Sequence, residues 1–226
     1  MTTRDRFKRI VAILALTLVA LSLVSPVPAR TPQTEARKTS KPYTGDLSVF
    51  DSPGRDEKLQ VNRVMDILGI VPGKSVADIG AGSGWFTVRA ARRVTESGSV
   101  YAVDINREAI RYIERRTEKE NLHNVRAVLS RTDDPLLPPS SVDAALLLKT
   151  YHEVEKPVTL LQNLRASLRP GAKVGIIDRN GNGENNGVAR EVVLKEATEA
   201  GYKLLESYDF VKGDEMDYFL VLALKP

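Results

Sequence analysis

Between residues 61 and 178 the sequence switches repeatedly between two hydrophobic periods, and that switching leaves few folds open. Val61, Val64, Met65 and Leu68 recur at i, i+3, i+4 and i+7, the stripe of a helix with one buried face, and Gly69 stands where such a helix stops. Pro72-Gly73 marks a turn, and Ser75–Ile79 reads as a short buried strand. A helix pattern covers 83–93, a strand Val100–Asp104, and a helix capped by Asn106 runs to about Glu120. Strands follow at Asn124–Ser130 and Val142–Leu148. Pro157 opens a helix with Leu160, Leu161, Leu164 and Leu168 inward, closed by Pro170-Gly171, and Lys173–Asp178 is a fifth strand. Strands alternating with helices form a parallel sheet covered on both faces.

After a helix near 188–200 the rhythm changes. Tyr202–Phe210 and Met216–Leu224 are both strand-like, and Val211–Glu215 between them is too short for a crossover helix, so the two runs pair antiparallel. The expectation is an α/β, Rossmann-like seven-stranded sheet over residues 55–226. It is mostly parallel, with an antiparallel C-terminal strand and helices on both faces.

The N-terminal part has a different character. Arg4, Arg6, Lys8 and Arg9 precede the apolar run Ile10–Val24, and Val27 and Ala29 offer small residues at −3/−1 spacing. A basic region, a short apolar run and a small-residue exit read as a secretory signal peptide over 1–29, or as a membrane anchor through residues 10–27 if it is not cut. Residues 30–54, rich in Thr, Pro, Lys and Ser with no apolar period, read as a flexible linker. The domain is then expected to be exported or tethered to the membrane. Of the formal charge of +4, only +1 stays with residues 30–226, which removes the support for a nucleic-acid partner. With no cysteine there is no disulfide framework and no thiolate metal site. The two histidines, His123 and His152, are too scattered for a metal centre.

The chemistry sits in Asp78-Ile79-Gly80-Ala81-Gly82-Ser83-Gly84, which leaves a strand and enters a helix. Glycines there let a ligand approach the backbone and leave the helix N-terminus open. A nicotinamide dinucleotide would want glycine at 85, where this sequence has Trp85. Asp78, two residues before the first glycine, repels phosphate and suits a cationic or zwitterionic amino-acid ligand. Asp104, at the tip of the second strand, can accept both hydroxyls of an unphosphorylated ribose, and Ile105 can pack on an adenine face.

These segments resemble the class I S-adenosylmethionine-dependent methyltransferases, nearest to the ubiquinone/menaquinone C-methyltransferase type. The likeness runs through VADIGAGSGWFT, YAVDIN, LLLKTYHEV and LRPGAKVGIID, and the family carries a reversed seventh strand. The resemblance implies methyl transfer from S-adenosylmethionine to a small-molecule acceptor, with no metal. It places the donor's methionine part on Asp78, Gly80, Gly82 and Gly84, its ribose on Asp104 and its adenine on Ile105. Asp133, after the third strand, is the match for an acidic residue near the adenine amino group. Tyr151, His152 and Glu153 follow the fourth strand at the sheet's C-terminal edge, where open α/β sheets bind ligands. Tyr151 and His152 are the catalytic candidates, with the imidazole as general base or simply packed beside the Pro157 helix. The loop Arg179–Gly187, with three glycines and four asparagines, offers no apolar wall for a quinone. A non-catalytic exported binding module that keeps the fold is the alternative.

Overall fold

The computed structural model describes residues 37–226; the leader expected at 1–29 and residues 30–36 lie outside them. Seven strands form one sheet: β1 (Ser75–Ile79), β2 (Ser99–Asp104), β3 (Val125–Leu129), β4 (Val142–Leu148), β5 (Leu168–Asp178), β6 (Tyr202–Tyr208) and β7 (Tyr218–Leu224). Their order is β3-β2-β1-β4-β5-β7-β6. Pairs from β3 to β5 are parallel, whereas β7 runs antiparallel to both β5 and β6. One strand is therefore reversed, as the short 211–215 connection requires, and it lies inside the sheet with β6 at the edge.

Among the described residues six α-helices flank the sheet: α1 (Arg55–Leu59), α2 (Val61–Leu68), α3 (Trp85–Val94), α4 (Arg107–Lys119), α5 (Pro157–Arg165) and α6 (Arg190–Glu199). Successive strand residues point to opposite faces, so Val100 joins the layer of α1, α2 and α3, while Tyr101 and Val103 join that of α5 and α6. Gly175 of β5 makes room on the first face. A Cβ there would meet Leu146 Cδ1 at 2.9 Å, Phe219 Cε2 at 3.0 Å and Leu68 Cδ1 at 3.1 Å.

Three expectations need correction. The helix opened by Pro157 ends at Arg165, and Leu168 begins β5 opposite Val142. The β4–β5 register shifts between Val142 and Ala144, so Pro170-Gly171 occupies an irregular stretch where a missing N–H costs no ladder bond. The helical stripe at 61–68 is preceded by a separate short turn, α1, because Gln60 takes a left-handed φ of 53° between them. Finally, the segment expected to be a free linker lies on the domain from residue 37 onward. Arg37 pairs with Glu196 at 2.9 Å, Ser40 is buried, and Asp51 pairs with Arg116 at 2.8 Å. Polar anchors hold this strap, which is why no apolar period announces it.

Candidate active site

At the C-terminal edge of the parallel strands lies a cleft of about 430 Å³, walled by the glycine turn, the tips of β1, β2, β4 and β5, and the strap. Its size suits a small organic ligand. Gly80, Gly82 and Gly84 all have positive φ (72°, 54° and 73°). At Gly80 any side chain would also collide with Thr150 just past β4. Gly80 and Gly82 line the cleft, while Gly84 caps α3 from behind, where an added Cβ would come within 3.0 Å of Ile113 Cγ1.

Asp78 and Asp104 stand side by side beneath this turn. Asp78 is buried, its Oδ2 accepting from Thr87 Oγ1 at 2.6 Å. Burial pushes its carboxyl up to about 7; the neighbouring Asp104 adds to this, while the Thr87 bond and Arg55 oppose it. Asp104 accepts Gly82 N–H at Oδ2 and Asn106 N–H at Oδ1, both at 2.8 Å. Its carboxyl is also raised, by burial, against those backbone bonds. Each oxygen retains a lone pair, and Asp104 lines the cleft beside Ile105, which is 41% exposed.

Across the cleft, His152 is only 2% exposed. Its Nδ1 lies 2.8 and 3.0 Å from the two oxygens of the fully buried Asp178, which also accepts the His152 and Arg179 N–H groups. A carboxylate accepts only, so the imidazole donates through Nδ1, and its neutral tautomer here is the one with the lone pair on Nε2. Nε2 is 3.9 Å from Glu153 Oε1. Burial raises the Glu153 carboxyl to about 7, against the pull of His152.

Two sequence candidates fall elsewhere. Tyr151 is fully buried, turned away from the cleft: its hydroxyl donates to Glu196 at 2.9 Å and its ring lies under the Arg37 guanidinium. Burial and Glu196 hold that hydroxyl protonated. Asp133 faces Lys156 at 3.5 Å outside the cleft, whose wall after β3 is Ser130, Arg131, Thr132 and Pro135. Arg55, by contrast, was not anticipated. It is buried against Trp85 (4.4 Å to the ring centroid), bonded to Asp214 and the Phe50 carbonyl, and lines the cleft near Asp78. Among the described residues, no group of three or more potential ligands could hold a metal ion.

Comparison with known proteins agrees with this geometry. Residues 76–171 match the family described as a methyltransferase domain. The chain is 31% identical over 49% of its length to 2-phytyl-1,4-naphtoquinone methyltransferase of Trichormus variabilis, covering 48% of that protein. It is 28% identical over 49% of its length to protein-L-isoaspartate O-methyltransferase of Pyrococcus horikoshii, covering 47% of it. The chain thus spans about half the length of these curated relatives. A solved S-adenosylmethionine-dependent methyltransferase from Aquifex aeolicus superposes with a TM-score of 0.73 at 24% identity, over 80% of this chain and 100% of that one. Sheet order, reversed β7, glycine turn and family match coincide. Residues 76–171 thus match a methyltransferase domain, and the described residues have the fold of a solved S-adenosylmethionine-dependent methyltransferase.

Proposed function

We propose that the protein transfers a methyl group from S-adenosylmethionine to a small-molecule acceptor. The observation that carries this is that Asp78 and Asp104 under the glycine turn and His152, held by Asp178, line one cleft. The residues present fit the donor. Asp78 is a buried carboxyl with room for a cation beside it and matches the α-ammonium group of an amino acid, while the Arg55 guanidinium nearby is already paired with Asp214. The spare lone pairs of Asp104 match a ribose diol, and Ile105 gives an apolar surface for a base.

When bound, S-adenosylmethionine supplies a methyl group on a sulfonium, a good leaving group for in-line displacement. The protein's share is chiefly placement: the strap, the glycine turn and the strand tips hold two ligands in one walled space. His152 Nε2 takes the proton from an acceptor O–H or N–H, and Asp178 steadies the resulting imidazolium through Nδ1–H. Glu153, beside Nε2, passes that proton to solvent.

Calorimetric titration with S-adenosylmethionine and, in parallel, NADH tests the donor assignment. Micromolar binding of the first alone is expected, and Asp104→Ala weakens it at least tenfold, about 1.4 kcal/mol. Binding of neither compound overturns the reading. For residues 1–29 we propose export or anchoring, which rests on their charge and hydropathy order. Residues 1–35 fused to a reporter active only outside the cytoplasm give a signal, and a silent reporter rejects it.

A further inference from the structure

The strand tips around the cleft divide by charge. The tips of β1 and β2 carry Asp78 and Asp104; the residues directly after β4 and β5 are Lys149 and Arg179. All four line the same cleft. The sheet order β2-β1-β4-β5 therefore sets an acidic half, where the cationic donor fits, beside a basic half.

The basic half is built rather than incidental. Lys149 N–H donates to the Ile177 carbonyl at 2.8 Å, and His152 N–H to Asp178 at 3.0 Å, so the turn after β4 is tied to the end of β5 where Arg179 begins. Lys149 holds a φ of 54°, a left-handed conformation costly for a residue with a side chain, and such strain recurs at ligand sites. Both side chains are half-buried, and neither joins a side-chain hydrogen bond or ion pair among the described residues. Elsewhere around the cleft the pattern differs, since the Arg55 guanidinium is committed to Asp214. Of the acidic groups on the basic side, Asp178 is spent on His152 and two backbone N–H groups, Glu153 stands 3.9 Å from His152 Nε2, and Glu155 is exposed to solvent. The adjoining 179–187 loop is polar, with no apolar surface for a large uncharged ring system.

Resting on the methyltransferase reading of this cleft, we propose that the acceptor is a small oxyanion-bearing molecule, its carboxylate or phosphate held by Lys149 and Arg179 and its nucleophilic atom turned to His152. The anion fixes the acceptor's orientation and, across the cleft, faces the positive sulfonium. Loss of the proton to His152 Nε2 leaves a lone pair on the acceptor; that pair forms the new bond to the methyl carbon as the carbon–sulfur bond breaks, with its electrons going to sulfur.

The test uses the full chain saturated with S-adenosylhomocysteine and titrated with inorganic phosphate and, separately, acetate, followed by calorimetry and by phosphorus NMR for the phosphate. Saturable binding of at least one anion is expected. Lys149→Gln and Arg179→Gln each weaken it at least threefold, and the double variant at least tenfold, while S-adenosylhomocysteine affinity stays within about twofold and the melting temperature is unchanged. The tighter of the two anions identifies the phosphate or carboxylate class. Absence of saturable binding, or binding indifferent to the double substitution, overturns the proposal. Anion binding that depends on both residues in a chain that binds no S-adenosylhomocysteine keeps the anion site and overturns the methyltransferase reading instead.

Discussion

Asp78 is set where folding and ligand binding make opposite demands on one carboxyl. Burial holds it up at about 7 against 3.8 unperturbed, so between those values the native state keeps a proton that the unfolded chain has lost. Its contribution to stability therefore falls as pH rises from about 4 through 7. Asp78→Asn, which carries no charge at any pH, should gain stability relative to the parent over that window, as denaturant midpoints at pH 4 and pH 8 will reveal. A cationic ligand reverses the preference. At pH 6 donor binding should expel a proton, visible as a binding enthalpy that changes with buffer ionisation enthalpy, and affinity should climb towards pH 7 and then level. Loss of that proton release in Asp78→Asn assigns it; retention of it moves the proton to Glu153. The order Asp78, glycines, Asp104 was legible because strand, turn and helix are contiguous in sequence. Tyr151 and His152 were not separable: neighbours on one short turn point to opposite sides, and only the bond from His152 to Asp178, 26 residues away, decides which faces the cleft. Asp133 failed for a related reason, since the chain after β3 turns its carboxylate out to Lys156.

The strap is the element that sequence periodicity could not reveal. It is stitched down at Arg37 to Glu196 and the Val154 carbonyl, at Ser40 to the Gly183 carbonyl and Asn186 N–H, and at Asp51 to Arg116 and Ser83. Between those points Tyr43, Leu47 and Phe50 face the cleft, and Tyr43 meets Phe50 edge-on at 5.1 Å. Ion pairs and single hydrogen bonds have no hydrophobic period, so composition alone suggested a linker. A segment held by separable ties should open more readily than the sheet beneath it. Saturation with S-adenosylhomocysteine should slow amide hydrogen exchange over residues 41–50, and Arg37→Ala should raise exchange there several-fold without altering that of β4. Exchange over 41–50 that ignores both changes would show that the strap does not cover the ligand.

At the scale of the whole molecule the inner strands β1, β2, β4, β5 and β7 are largely buried, and the parallel ones among them were readable from apolar runs because doubly covered strands need no polar alternation. Packing between those layers was not readable, because it depends on contacts such as that of Leu68 with Gly175, far apart in sequence. Gly175→Ala should overfill this space against Leu146, Phe219 and Leu68 and cost about 1–3 kcal/mol, measured as a lower urea midpoint at unchanged slope. The placement of β7 has a further consequence. Residues 218–224 come after every other strand in the sequence yet sit between two of them, so β5 has a bare edge and β6 no partner until they arrive. A ribosome can deliver the glycine turn and both acidic residues long before the sheet can close. A chain that stops short of residues 218–224 therefore leaves the edge of β5 unpaired, and such an edge is open to pairing with another chain.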